Sequence, residues 1–483
     1  MNGPIRRIAA GMFLAMFVLL GGLTWYQVVR ADELRDDPRN PRPALAERGK
    51  ERGLIVTADG TVVARSIIDP TDPRSFVREY PEGETFAHLV GYSSFLVGTN
   101  GLERAYASDL RSRRDLTISD IVAAILGRDL RPNSIEITVD PDLQRAAFQA
   151  LGANRGAVVA LDPATGAVLA LVSTPSYDPS VLLGDDAAEQ WEQLLTTPSQ
   201  PARDRATQEL YAPGSTFKTV VAAAALDTGA AVPGTTFADP AEFQLPGSEA
   251  TIANANELPC NDGQSATMLQ AFVRSCNTIF ADLSIQIGAA DIGITAEAIG
   301  FNRDIGFEWE VPEAVWDTGA LANDAAALGQ SGIGERDVRV TPLHMAMIAA
   351  AVANDGIAVS PHAVGRVFDA DGNTVEEIEP AELGRAMTSE TADILTQMME
   401  RVVTEGTGTG AAVPGVRVAG KTGTATGTGE FSNPWFIGFA PVDNPTIALA
   451  VFIEGSEVSG ESASGGSFAA PIASELIEVW LAS

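Results

Sequence analysis

Tyr211-Ala212-Pro213-Gly214-Ser215-Thr216-Phe217-Lys218, running on as Thr219-Val220-Val221-Ala222, is the stretch on which the fold turns. Pro213 and Gly214 interrupt the chain, so the Ala-rich helix that follows opens near Ser215, which falls in its first turn. Residues three apart share a helix face, so the Ser215 hydroxyl and the Lys218 amine can meet. A serine hydroxyl is a poor nucleophile at neutral pH without an adjacent base. A lysine whose pKa is lowered by burial and nearby cations can be that base, whereas arginine cannot. The helix start also presents backbone N–H groups and partial positive charge to an oxyanion. Many helices carry Ser and Lys at this spacing, so the pair needs company.

Upstream, Gly156–Leu161 and Ala167–Ser173 are β-rich runs around the turn Asp162-Pro163-Ala164-Thr165-Gly166, a hairpin that opens the main domain. Between it and Ser215 the stretch 175–210 is irregular and acidic. Downstream, mixed helices and loops are expected to about residue 415. Strands follow at Arg417–Thr424, Trp435–Ala440 and Thr446–Glu454, and a helix closes the chain from Ala469 to Leu481. Helices placed between an N-terminal hairpin and C-terminal antiparallel strands imply an α/β (α+β) layered domain on a central antiparallel sheet. Nearer the start, Leu54-Ile55-Val56, Asp59-Gly60 and Thr61-Val62-Val63-Ala64 read as another hairpin in a small β-rich platform, and Gly98-Thr99-Asn100-Gly101 as a turn within it.

The 483 residues suffice for two or three domains. A net charge of −31 repels nucleic-acid phosphates and excludes DNA or RNA as the expected partner. Of 32 basic residues only Lys50, Lys218 and Lys421 are lysine. Where arginine serves as the general cation, a retained lysine is a candidate for work arginine cannot do, such as losing its proton. The three histidines, His88, His344 and His362, sit in unrelated contexts and no G-x-S-x-G elbow occurs, which argues against a Ser-His-Asp hydrolase. Ligand clusters for zinc are missing from the sequence, and no metal or cofactor is expected. Gly406-Thr407-Gly408-Thr409-Gly410 is a Gly-rich loop without a dinucleotide-binding context.

Two further motifs supply the company. Ser275-Cys276-Asn277 lies 60 residues after Ser215, and Lys421-Thr422-Gly423-Thr424 another 144 residues on, in a strand-like context. Gly423 lets a substrate backbone lie close to that strand, and the Lys421 ammonium can hold a carboxylate. In this order the three motifs are the known signature of penicillin-binding proteins and class A β-lactamases, an association that belongs to those families rather than to the spacing itself. The chain from about residue 140 to the end resembles the transpeptidase domain of penicillin-binding proteins. Further matching segments are 156–166, Thr174-Pro175-Ser176-Tyr177-Asp178-Pro179, Val340-Thr341-Pro342-Leu343-His344 and Trp435 to Pro441. Arg52-Gly53-Leu54-Ile55 and Asp59-Gly60 resemble the platform of the monofunctional class B members, and the Arg-over-Lys, Ala-rich composition is that of short actinobacterial members.

The resemblance implies a transpeptidase/serine β-lactamase-like fold and a set of roles. Ser215 would attack the penultimate D-alanine carbonyl of a peptidoglycan stem peptide, with Lys218 taking its proton. Ser275 would relay a proton to the leaving D-alanine, and Asn277 would hold the substrate amide and Lys218. Lys421 and Thr422, with Gly423 beside them, would bind the terminal carboxylate, and the N–H groups of Ser215 and Thr424 would form the oxyanion hole. The acyl group would pass to an amine of a second stem peptide, and β-lactam antibiotics would acylate the same serine. The middle residue of the second motif, Cys276, departs from the usual pattern. Pointing away from the cleft in an oxidising compartment, it is expected to pair with Cys260 and brace the loop.

Rival readings remain within reach of the same residues. A β-lactamase would need a deacylating base, and no E-x-x-L-N follows Ser275. A D,D-carboxypeptidase differs only in its acyl acceptor. A catalytically silent scaffold of the division or elongation machinery would have no use for Ser215, Lys218 and Lys421.

Ile8 to Val29 is apolar but for Thr24 and Gln27, and as a helix would span about 33 Å, enough for a bilayer core. The organisation expected is a cytoplasmic arm 1–7, an anchor 8–29, a linker 30–51, a platform 52–140 and the transpeptidase domain 141–483 outside the cytoplasm. Arg30, Arg35, Arg39 and Arg42 run against the positive-inside pattern, but long domains translocate regardless of such charges. About 110 residues separate anchor and main domain, too few for a glycosyltransferase domain, so a separate polymerase is the implied partner alongside the membrane.

Overall fold

The computed structural model describes residues 2–30, 49–73, 75–111, 131–427, 431–456, 458, 460 and 463–483. Most of the expected linker 30–51, with Arg35, Arg39 and Arg42, lies outside the described residues. The chain divides into two compact units, Met1–Glu51 with Ile68–Val77, and Arg52–Ile67 with Arg78–Ser483.

In the first unit helix α1 (Asn2–Thr24) runs on as a single π turn, Trp25–Val29. Gly3–Gln27 is long and apolar enough to cross a membrane, with a mean hydropathy of 2.0. Arg6 and Arg7 of the expected arm lie within this helix.

The second unit holds two main sheets. One contains strands β1 (Ile55–Thr57) and β2 (Val62–Ile68), the hairpin read from Asp59-Gly60, with Ile55 opposite Ala64. Strand β3 (Ser134–Ile137) lies parallel to β1, Ile55 facing Ile135. Strands β6 (Val364–Phe368) and β7 (Thr374–Glu377) then extend this sheet, β6 antiparallel to β3 with Val367 opposite Ile135. The expectation of helices and loops alone through residue 415 is corrected here: 364–377 is a hairpin turned at Asp369–Asn373, completing the platform sheet from far along the chain.

The other sheet is antiparallel and five-stranded. Its strands are β4 (Gly156–Leu161), β5 (Val168–Thr174), β8 (Ala419–Thr426), β9 (Ser432–Ala440) and β10 (Ile447–Ile453), in the order β8-β9-β10-β4-β5. β4, β5 and β10 are buried along their whole length, which is why they read as unbroken apolar runs rather than alternating ones. Alternate residues serve opposite layers. Val158, Ala160, Leu449 and Val451 pack on α2 (Pro141–Leu151) and α7 (Ala470–Ala482). Val159, Ile437 and Ala450 join the larger core that includes α6 (Pro342–Ala353). Within that core stands α3 (Lys218–Thr228), whose residues from Lys218 to Ala225 are all buried, as a helix apolar on every side must be. Strand β8 is a sheet edge among the described residues, and the three sequence motifs gather along it.

Candidate active site

Gly214 has φ +54°, and a Cβ there would stand 2.7 Å from the Thr424 carbonyl of β8. It donates its N–H to Gly334 O at 2.9 Å, and a Cβ on Gly334 would come within 1.9 Å of Gly214 O. Two glycines therefore let the Ser215 turn, a single 3-10 turn over Gly214–Phe217, press against the edge strand. Gly423 completes the fit, since a Cβ there would lie 2.9 Å from Pro213 O. Ser215 sits in that turn and Lys218 opens α3, one turn along, as the sequence spacing required.

Lys218 is fully buried, with Nζ 3.0 Å from Ser215 Oγ, 2.8 Å from Ser275 O and 2.8 Å from Asn277 Oδ1. The last two partners only accept, because Asn277 spends its Nδ2 donor on Ala253 O at 3.0 Å. A neutral amine has two hydrogens for these acceptors and one lone pair left, and the lone pair faces the Ser215 hydroxyl. Burial, and then the nearby Lys421, push the Lys218 pKa well below that of a free lysine. The Phe280 ring lies under the amine at 5.7 Å.

Ser275 joins α4 (Met268–Arg274) to α5 (Asn277–Ile287). Its φ of +62° is left-handed, a conformation that costs a non-glycine residue about 1–2 kcal/mol. That turn points its carbonyl to Lys218 while its hydroxyl accepts from Lys421 Nζ at 2.8 Å. Cys276, next in the chain and fully buried, is bonded to Cys260 as a disulfide with Cα atoms 6.0 Å apart. Arg274 donates to Cys260 O, and Asn277 N–H to Asn254 Oδ1 at 2.8 Å, so the joint is held from several directions.

Lys421 on β8 is also fully buried, donates to Thr422 O at 2.9 Å and lies 5.7 Å above the Phe272 ring. Burial lowers its pKa to about 7. Thr422 Oγ1 shares a hydrogen bond with Thr407 Oγ1, and Thr424, which is exposed, accepts the Gly465 N–H at 3.4 Å. The structure thus brings Ser215, Lys218, Ser275, Asn277, Lys421, Thr422, Gly423 and Thr424 into one cleft. Residues missed from the sequence are Gly334, Thr407, Asn254 and Gly465. Thr407 belongs to the Gly406–Gly410 loop, and its signal was that a Gly-rich segment need not bind a nucleotide to approach a strand closely.

Elsewhere, His344 is buried with Nδ1 2.8 Å from Thr341 Oγ1 at the start of α6, and burial lowers its pKa to about 4. Among the described residues no group of three or more His, Cys, Asp or Glu is placed to hold a metal.

Residues 156–478 match the penicillin binding protein transpeptidase domain, and residues 52–135 the penicillin binding protein A dimerisation domain. The chain is 40% identical to the peptidoglycan D,D-transpeptidase PbpA of Mycolicibacterium smegmatis, covering 98% of this chain and 97% of that protein. It is 39% identical to PbpA of Mycobacterium tuberculosis, covering 100% and 99%. The ceftriaxone acyl-enzyme complex of M. tuberculosis penicillin-binding protein A superposes with a TM-score of 0.83 at 36% identity, covering 90% of this chain and 99% of that one. With an edge strand, a buried Lys218 hydrogen-bonded to Ser215 and near full-length relatives in agreement, the chain belongs to the penicillin-binding protein transpeptidase family.

Proposed function

We propose that this chain is a serine-type peptidoglycan D,D-transpeptidase. The observation that carries the reading is the Lys218 amine, which is buried, has no carboxylate partner among the described residues and lies 3.0 Å from Ser215 Oγ. The neutral amine takes the Ser215 proton as Oγ attacks the penultimate D-alanine carbonyl. Charge gathers on that carbonyl oxygen, where the N–H groups of Ser215 and Thr424 receive it. The C–N bond then breaks as the proton taken from Ser215 passes from Lys218, through the Ser275 hydroxyl, to the departing D-alanine amine, leaving Lys218 neutral, Ser275 a hydroxyl and an ester on Ser215. Attack by an amine of a second stem peptide forms the new amide and returns Ser215 to its hydroxyl, Lys218 removing the amine's proton. Asn277 holds Lys218 and the substrate amide. Lys421, Thr422 and Thr407 receive the terminal carboxylate, and Gly423 gives the substrate backbone access to β8. Strand β8, lacking a sheet neighbour on one side, offers backbone groups for an extended peptide.

β-Lactams acylate Ser215 in the same way, as the acyl-enzyme complexes of the M. tuberculosis relative support. Residues 52–140 form the non-catalytic platform, 141–483 the catalytic domain, and α1 a single-pass anchor with its N-terminus cytoplasmic. A separate glycan polymerase supplies strands for cross-linking. Fluorescent penicillin is expected to label the wild type and not Ser215→Ala, and the membrane-anchored protein to cross-link lipid-linked precursor once a polymerase is added. An unlabelled wild type would mean a silent scaffold, rapid release of the label a β-lactamase, and D-alanine release without cross-links a carboxypeptidase.

A further inference from the structure

Gly334 and Glu335 are neighbours in the chain, and each holds a different wall of the cleft. The segment 334–340 lies along the approach to Ser215. Tyr211 and Val340 exchange both backbone hydrogen bonds, at 2.8 and 2.9 Å, and Gly334 O accepts the Gly214 N–H at 2.9 Å. One residue on, half-buried Glu335 reaches the other way, and its Oε1 accepts the Thr426 N–H of β8 at 3.0 Å. The backbone that carries both contacts is strained. Gly334 has φ +82°, and Arg336, with a Cβ to accommodate, has φ +58°. Such conformations are rare outside glycine and persist where the surroundings over-determine them, often at functional sites.

The register of β8 shows what the Glu335 contact controls. Thr424 and Thr426 stand opposite Pro434 and Ser432 of β9. Pro434 has no N–H to give, and the Thr424 carbonyl faces the Ser215 turn, 2.7 Å from where a Gly214 Cβ would stand. In such a pair the N–H points to the same side as the carbonyl, and residues two apart repeat the pattern. The N–H groups of Thr424 and Thr426 therefore share the open side of β8. Across the gap is the Ser215 N–H, one residue from Gly214. Gly334 fixes that side and Glu335 the other, through two successive residues of one backbone.

We propose that Glu335 is a positioning residue for acyl transfer, tying β8 to the segment that holds the Ser215 turn and so setting the spacing of the Ser215 and Thr424 N–H groups. In this role it acts through β8 and not on the substrate. Donors preorganised around a developing oxyanion act in the transition state far more than on the bound ground state. Loosening them therefore lowers the rate and leaves binding nearly unchanged. The role asks for an acceptor at this reach, not for a charge. The proposal rests on the reading of Ser215 as the acylated residue with these two N–H groups as its oxyanion donors.

The test uses detergent-solubilised full-length protein labelled with fluorescent penicillin over a range of concentrations. The saturating rate then separates from the half-saturating concentration, and the end point of labelling counts folded protein. Removing an oxyanion donor outright costs about 10²–10³-fold, so Glu335→Ala, which only frees the end of β8, should lower the saturating rate by about tenfold. Its half-saturating concentration should stay within about twofold of wild type, since ground-state binding is untouched. Glu335→Gln keeps an acceptor at the same reach without the charge, and should hold the rate within about threefold of wild type. Glu335→Asp keeps the charge that faces Arg339 but is one methylene short of Thr426, and should fall with the alanine variant. Wild-type rates in the alanine and aspartate variants, or a loss that appears in the half-saturating concentration alone, would overturn the role while leaving Ser215 acylation standing. A glutamine variant tenfold slower than wild type would overturn it too, even where the other two variants do not fold. A wild type that penicillin does not label would overturn the underlying reading, and the role of Glu335 with it.

Discussion

Two of the groups of charged side chains buried in the larger unit are built on opposite principles. In the platform, Glu103 is fully buried between Arg52 and Arg78. Arg52 reaches it at 2.6 Å and Arg78 at 2.5 Å, while Tyr80 Oη donates at 3.3 Å. Burial alone would raise the Glu103 pKa, but the two guanidinium groups outweigh it and hold the carboxyl below its ordinary value. In the cleft, Lys218 and Lys421 are just as buried, and their hydrogen bonds go to carbonyl, amide and hydroxyl oxygens instead of carboxylates. There burial wins, and both amines are pushed toward the neutral form. A buried charge with partners stays a charge and fixes structure, whereas a buried cation without a counter-ion is driven to give up its proton and becomes a base.

The contrast breaks most sharply at Lys218. Lys218→Met keeps the volume and removes the base, so acylation by fluorescent penicillin should fall by about 10²–10⁴-fold, the usual contribution of general base catalysis. The melting temperature should stay within a few degrees of wild type, because no charge is left unpaired. A collapse in stability with activity per folded molecule preserved would invert the assignment.

Glu103→Gln should do the reverse. It leaves two buried guanidinium groups without their carboxylate, a change that typically costs about 3–5 kcal/mol, seen as a lower midpoint in urea. Ser215 should still be acylated at a near wild-type rate in the molecules that remain folded. Loss of labelling in stable protein would show that the platform charges act on the cleft.

A third test sharpens the difference in how the two sites are held. The platform cluster is clamped by its own charges, but Ser275 is braced by the covalent Cys260–Cys276 bond beside it, across a sequence separation of 16. Cys260→Ala/Cys276→Ala should lose about 3 kcal/mol by the loop-entropy argument, measured in urea under non-reducing conditions. Two free thiols in non-reducing mass spectrometry of the wild type would remove the brace altogether.

How far these features were readable depended on where their signals lay in the chain. Ser215 and Lys218 share one helical turn, and the scarcity of lysine singled out both Lys218 and Lys421 before any geometry was known. The central sheet was legible because β4, β5 and β10 are buried on both faces and read as apolar runs. The hairpin at 364–377 was missed although Asp371-Gly372 carries the same turn signal as Asp59-Gly60. Its second strand, Thr374–Glu377, is exposed throughout, so no apolar pattern marks it. Nothing in the sequence sets Arg52, Arg78 and Glu103 apart from other charges, since only a three-dimensional contact distinguishes a buried ion cluster from solvated ones. Thr407 and Gly465 were hidden for the same reason: each acts through a residue of β8 distant in sequence.

The smallest effect expected is also the most specific to the unpaired amines. Lys421 is the second cause of the lowered Lys218 pKa, since a cation nearby disfavours a second ammonium. Lys421→Gln should therefore raise the Lys218 pKa, and the acid limb of penicillin acylation should move to higher pH. Lys421 itself loses its proton near pH 7, so the repulsion acts mainly below that pH, and wild type and variant should converge above it. Stability gives an independent sign. The folded pKa of Lys421 lies below its unfolded value of 10.5, so between about 7 and 10.5 the unfolded chain binds the extra proton and wild-type stability gains as pH rises through that window. In Lys421→Gln that share of the gain should be lost, leaving only the contribution of Lys218, so melting curves of the two proteins recorded at pH 7 and pH 10 decide it by a smaller rise in the variant. A variant that gains as much as wild type would mean that Lys421 keeps its charge when buried, and the contrast with Glu103 would then rest on Lys218 alone.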